Sequence, residues 1–159
     1  MNLKLAEPQD AAGVLKLYDS LRNVPGCTWD EDYPAMREIE ADIQNGDLFI
    51  DADEGGVRAA ISVCVDEELE AMNVWSESTL PAGSFMRVAV RADVQRRGIA
   101  REMVRFALNE LKKRGFRGVH ILVGRENFAA QRCYAPFGLR VAAQANQYGV
   151  DWYCMEGEL

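Results

Sequence analysis

The chain holds a single histidine, His120, and four scattered cysteines, Cys27, Cys64, Cys133 and Cys154, with no C-x-x-C pair among them. Zinc sites draw on clustered Cys and His ligands, so no metal is expected. Thiols spaced this widely read as reduced and mostly buried, as in a reducing compartment. No apolar run approaches the roughly 20 residues that span a bilayer, and no membrane role is expected. The opening stretch Met1–Asp10 turns acidic and lacks an apolar leader core, which points to a cytoplasmic protein. Basic residues are the minority, 18 against 25 acidic ones, for a net charge of -7. Nonspecific nucleic-acid binding needs the opposite balance, so a nucleic-acid partner is not expected. An acidic surface favours solubility and attracts cationic amines.

A chain of 159 residues fits one domain, taken as 1–159. Leu3-Lys4-Leu5 alternates as a short strand. Ala11, Val14, Leu15, Tyr18 and Leu21 recur at helical spacing, predicting a helix near 8–21. A second helix is expected over 34–44, stopped by Asn45-Gly46. Leu48–Ile50 and Val57–Val65 read as strands joined at Asp53-Glu54-Gly55-Gly56. Residues 66–82 show no clear period, and long irregular stretches often carry function. Phe85–Val90 is a predicted strand, Gly98–Arg114 a helix and Val119–Val123 a strand covered on both faces. Asn127–Ala135 reads as a short helix ended by Pro136 and Gly138, and Leu139–Ala143 and Val150–Met155 as closing strands. Helices inserted among strands in this order imply an α/β domain with a mixed sheet.

The segment from Phe85 to Ala100 carries the chemistry. An apolar strand runs into a basic turn, Gln95-Arg96-Arg97-Gly98, that opens a helix. A helix start leaves backbone N–H groups unpaired and carries partial positive charge, which suits a pyrophosphate. Gly98 keeps a Cβ out of the way of the phosphates. Asn127, Ala130 and Tyr134 lie three and four residues apart and share a helix face.

These residues resemble the GCN5-related N-acetyltransferase (GNAT) family. Gln95-Arg96-Arg97-Gly98-Ile99-Ala100 matches its Gln/Arg-x-x-Gly-x-Gly/Ala signature. Asn127, Ala130, Tyr134, Gly138 and Leu139 match its Asn-x-x-Ala-x-x-x-Tyr-x-x-x-Gly-hydrophobic pattern. The resemblance implies a mixed, mostly antiparallel central sheet with splayed fourth and fifth strands and flanking helices. It implies acetyl-CoA as co-substrate, with the pantetheine arm between those strands. Val88, Ala89, Val90, Gln95, Arg96, Arg97, Gly98, Ile99, Ala100, Arg101, Asn127 and Tyr134 would then bind the donor. The Val90 N–H would face the thioester oxygen, and Tyr134 would act as general acid on the departing thiolate. Cys133 adjoins Tyr134 without an evident histidine partner, so a covalent acetyl-cysteine route is set aside.

Acetyl would pass directly to an amine in a ternary complex. Some members of the family place a glutamate on the fourth strand, where this chain has Phe85, Met86 and Arg87. Glu67, Glu68 and Glu70 are the candidate bases, with Asp66 beside them. Trp29, Tyr33 and Trp75, with Asp30, are candidate acceptor-lining residues, because aromatic faces hold cations and flat groups. His120 reads as a core or sheet-face histidine. A small primary amine is the favoured acceptor. A protein N-terminal or lysine acetyltransferase is the alternative, and a non-catalytic acyl-CoA sensor a second one. The sequence leaves a homodimer open.

Overall fold

Polar and apolar residues sort the chain into seven strands and five helices. The computed structural model describes all residues, Met1–Leu159. The strands are β1 (Lys4–Leu5), β2 (Leu48–Asp53), β3 (Gly56–Cys64), β4 (Ala82–Val90), β5 (Gly118–Gly124), β6 (Arg140–Gln147) and β7 (Val150–Glu158). The helices are α1 (Ala11–Asp19), α2 (Met36–Asn45), α3 (Glu67–Glu70), α4 (Ile99–Lys113) and α5 (Phe128–Tyr134). The strand order is β1-β2-β3-β4-β5-β7-β6. The β1–β2, β2–β3, β5–β7 and β6–β7 pairs are antiparallel and β4–β5 is parallel. This is the mixed, mostly antiparallel sheet expected.

The chain divides into two compact units. The first holds Met1–Ser62 and Met86–Met103. Its core gathers Val14, Leu17, Tyr18 and Leu21 of α1 and the turn after it, with Ile39, Leu48, Ile50, Ala60 and Ala89. The face of α1 turns slightly from the predicted one: Leu17 is buried, while Leu15 is half-buried at the edge of the cluster. Before α2, the Glu38 carboxylate accepts the Ala35 N–H at 2.7 Å, satisfying a donor at the helix start. Gly46, at φ 71°, closes α2 as the expected stop. β2 and β3 meet in the predicted hairpin, Asp53 opposite Gly56.

The second unit holds Val63–Phe85 and Val104–Leu159. β5 lies beside β7 over its whole length, from Gly118↔Glu158 to Gly124↔Trp152. Its ladder with β4 has only Ala82↔Gly118 and Gly83↔Val119, and does not continue to Ser84 and Phe85. α4 ends in a Schellman arrangement, with Phe116 N–H to Leu111 C=O at 3.2 Å and Gly115 N–H to Lys112 C=O at 3.1 Å. β6 and β7 run longer than predicted and turn at Tyr148-Gly149, both at positive φ, as a tight hairpin requires. The stretch Gln144–Gln147 hides that extension in the sequence, because alanine is its only apolar residue and gives a weak strand signal.

Candidate functional site

The predicted donor loop lies entirely in the first unit. β4 delivers Val88, Ala89 and Val90, and a short 3-10 turn at Ala92–Val94 comes next. The Gln95 side-chain amide donates to the Val90 carbonyl at 2.8 Å, tying the loop to the strand end. Arg91 forks onto Asp53, at 3.0 and 2.8 Å, and also reaches Asp93 at 2.7 Å. Arg96 and Gly98 both adopt left-handed backbone, at φ 61° and 85°. Such turns draw successive N–H groups to one side, forming an anion-binding concavity.

The first bond inside α4 runs from the Glu102 N–H to the Gly98 carbonyl at 3.1 Å. The N–H groups of Gly98, Ile99, Ala100 and Arg101 precede it and have no acceptor within the helix. Gln95, Arg96, Arg97, Gly98 and Arg101 are exposed. The residues present therefore fit a pyrophosphate. The structure adds a backbone reason for glycine here. A Cβ at Gly98 would meet no protein atom within 4 Å, and the positive φ is what demands glycine.

Trp29 and Tyr33 also lie in the first unit. Trp29 packs edge-to-face on Tyr18 at 5.0 Å, against the core. The Tyr33 hydroxyl accepts from Arg87 Nη1 at 2.9 Å. Arg87 in turn grips the Asp42 carboxylate with Nε at 3.1 Å and Nη2 at 2.7 and 2.6 Å.

Asn127, Tyr134, Trp75 and the three glutamates lie in the second unit. Asn127 caps α5, its Oδ1 accepting the Ala130 N–H at 3.0 Å. Tyr134 is 7% exposed and packs edge-to-face on Phe85 at 5.3 Å. Burial, with a smaller push from Cys133, raises its pKa above the ordinary phenol range, so it keeps its proton at neutral pH. The Ser84 hydroxyl, 1% exposed, has no hydrogen-bond partner.

This unit also holds a buried polar array that the sequence does not announce. His120 on β5 is fully buried. Its Nδ1 lies 2.6 Å from Glu70 Oε1, and its Nε2 2.8 Å from Thr79 Oγ1. Trp75 stacks on the imidazole at 4.1 Å and donates its indole N–H to the Leu69 carbonyl at 2.8 Å. Glu156 lies opposite both His120 and Arg140 across β5, β7 and β6. It accepts from the Ser76 N–H and hydroxyl at 2.8 and 2.6 Å and pairs with Arg140 at 2.9 Å. Gly118 permits the close approach of the Thr79 backbone, which a Cβ would strike.

Carboxylate, imidazole and hydroxyl stand here in the order of a hydrolase triad. Thr79 is fully buried, however, and its hydroxyl donates to the Ser76 carbonyl at 2.8 Å. No acyl group reaches it, so the array is structural. Glu70 is committed to His120, and Glu68 accepts from the Tyr148 hydroxyl at 2.6 Å. Glu67 is exposed and makes neither contact.

The sequence profile of the acetyltransferase (GNAT) family matches residues 14–139, well over half of the chain, and the chain belongs to that family. Solved structures agree in fold. A ribosomal-protein-alanine N-acetyltransferase from Brucella melitensis superposes with TM-score 0.77 at 18% identity, covering 100% of both chains. The yncA structure from Salmonella typhimurium, with its cofactor acetyl-CoA, gives 0.75 at 19% identity, covering 100% of this chain and 94% of the other. The NatC complex bound to Gag peptide and CoA gives 0.77 at 16%, covering 99% and 98%. No curated protein sequence matches the chain. No helix is long and apolar enough to cross a membrane.

Proposed function

We propose that the protein is an acetyl-CoA-dependent N-acetyltransferase that acetylates a primary amine by direct attack in a ternary complex, with a small-molecule amine as acceptor. The observation that carries this reading is the Gln95–Arg101 turn, where left-handed Arg96 and Gly98 and exposed arginines stand beside the N–H groups that open α4. That arrangement serves a pyrophosphate. Acetyl-CoA supplies the activated acyl group. The chain's own residues orient it: backbone groups of Val88 and Val90 hold the pantetheine, and the Val90 N–H stabilises charge on the thioester oxygen. One such fixed donor is worth roughly 2.7–4 kcal/mol.

Tyr134 donates a hydrogen bond to the departing sulfur. Its buried phenol is protonated and can serve the sulfur as general acid, by proton or hydrogen-bond donation. Among the candidate bases, Glu67 is favoured, because Glu68 and Glu70 are held by Tyr148 and His120. Acetyl-CoA-dependent thiol release against polyamines, amino acids, aminoglycosides and short peptides tests the reading. Turnover with one small amine class supports it. Turnover with peptides alone moves the acceptor to a protein terminus or lysine. Acetyl-CoA binding with no turnover leaves a sensor.

A further inference from the structure

Arg87 is the one residue of β4 at left-handed backbone, φ 52°. A non-glycine residue at such an angle inside a strand is strained, and it bends the strand and re-aims the residues beyond it. Those residues are Val88-Ala89-Val90, the segment whose backbone groups the functional reading assigns to the donor. The strained residue is also heavily anchored. Three of its contacts go to the Asp42 carboxylate of α2, at 3.1, 2.7 and 2.6 Å, and a fourth goes to the Tyr33 hydroxyl at 2.9 Å. Asp42 is itself fixed, accepting from the buried Ser62 hydroxyl of β3 at 2.5 Å. Both side chains of the pair are about nine-tenths buried, at 9% and 10% exposure.

A buried ion pair adds little net stability compared with well-packed apolar residues. Stability alone is therefore a poor reason for placing one here. Geometry is a better one: a planar guanidinium gripped at two nitrogens is fixed in place, so a return of Arg87 to ordinary strand angles must be absorbed by its side-chain torsions or break the grip. We propose that Asp42 and Arg87 form a backbone clamp. It holds β4 in its left-handed bend and thereby positions the Val88–Val90 backbone groups for the acyl donor. Both are positioning residues and touch no reacting atom. The inference rests on the donor reading for its purpose, though the clamp can be measured without it.

The test compares two double variants that lose the same ion pair and differ only in backbone freedom at position 87. Asp42→Asn with Arg87→Gly leaves a residue that adopts φ 52° without strain; Asp42→Asn with Arg87→Ala leaves one that does not. The amide NMR shifts of Val88, Ala89 and Val90 in the ligand-free protein are the first readout, and the single-turnover acetyl-transfer rate is the second. The glycine variant should keep shifts near wild type. The alanine variant should move them and run roughly 5–30-fold slower than the glycine variant, with acceptor KM unchanged between the two.

An alanine variant that unfolds while the glycine variant folds supports the clamp as well. If both unfold, Arg87→Lys with Asp42 intact decides, since it keeps the charge and loses the fork. Displaced Val88–Val90 shifts then support the clamp, and wild-type shifts overturn it. Equal shifts and rates in the two double variants, or a change confined to acceptor KM, overturn it too. A wild-type protein that binds no acetyl-CoA sinks the donor reading, while the shift comparison still decides the clamp.

Discussion

The donor loop and the His120 array are opposite ways of using polar groups. Gln95–Arg101 is largely exposed, contiguous in sequence and offers backbone N–H groups, with Arg96 and Gly98 at left-handed backbone. The His120 array is centred on the buried side chains of Thr79, His120 and Glu156, joined by half-buried Glu70, Trp75 and Ser76 and by Arg140 at the surface. Exposed polar groups lose little when left unpaired, because water takes them. Buried ones lose their full solvation unless every partner is present. The loop is thus free to wait for a ligand. The array must be complete within the fold. Substitutions in the array should act on stability and leave the donor site alone, and substitutions in the loop should do the reverse.

The largest effect on stability is expected at Glu156, which is 1% exposed. Glu156→Ala strips partners from Ser76 and leaves Arg140 without its carboxylate. Arg140 is half exposed and turns to water, so the main loss is the acceptor of the Ser76 N–H and hydroxyl, about 1–3 kcal/mol, to be measured by urea unfolding. Acetyl-CoA affinity of the folded protein should stay at the wild-type value. A large loss of affinity at unchanged stability would break the division between the two regions.

Tyr134 marks the boundary of that division, since it is buried like the array yet assigned to chemistry. Tyr134→Phe keeps the ring packed on Phe85 and removes only the hydroxyl. Single-turnover transfer should slow by roughly 10²–10³-fold, as when one preorganised donor is lost, with acetyl-CoA affinity nearly constant. A wild-type rate would show that another group, or water, serves the sulfur.

The same contrast explains how far each region is legible in the sequence. The loop needs particular residue types at fixed short spacing: glycine at position 98, where φ is 85°, and small Ala100 two residues on. A local pattern records such demands. The array's members span 86 positions from Glu70 to Glu156, and no local pattern joins them. His120 is readable as a sheet-face histidine from its place in an apolar strand, but its partners are not. The stretch 66–82 has no period in the sequence. It nonetheless supplies α3 and the Glu77–Thr79 turn, because its regularity lies in contacts with β5 and β7. The bend at Arg87 is likewise invisible, since arginine gives no sign of a left-handed angle that a tertiary ion pair enforces.

A smaller effect is expected at Gly98. Gly98→Ala meets no protein atom within 4 Å, so within the protein the cost is the φ of 85°. That strain should lower acetyl-CoA affinity by roughly 5–30-fold by calorimetry, if the loop must hold this shape to bind. Unchanged affinity in the folded variant would remove the loop from the donor site.

The smallest expected effect sharpens the contrast through pH. Burial alone would raise the Glu156 pKa. The two Ser76 hydrogen bonds, with the charges of Arg140 and His120, outweigh it and hold the carboxyl below its usual range. A depressed folded pKa contributes stability that is fully present above the unfolded value, near about 4.3, and is lost as pH falls through the folded one. Glu156→Gln keeps the side chain's size, removes the charge and replaces one acceptor by a donor. Near pH 7 it should cost about 1 kcal/mol, or a Tm lower by roughly 2–4 °C. Other carboxylates titrate in both proteins and cancel in the difference. The Tm gap should therefore narrow as pH falls below the unfolded value and on through the depressed folded one. A gap that stays constant down to about pH 3 would mean that the Glu156 charge contributes nothing and that its shape alone matters.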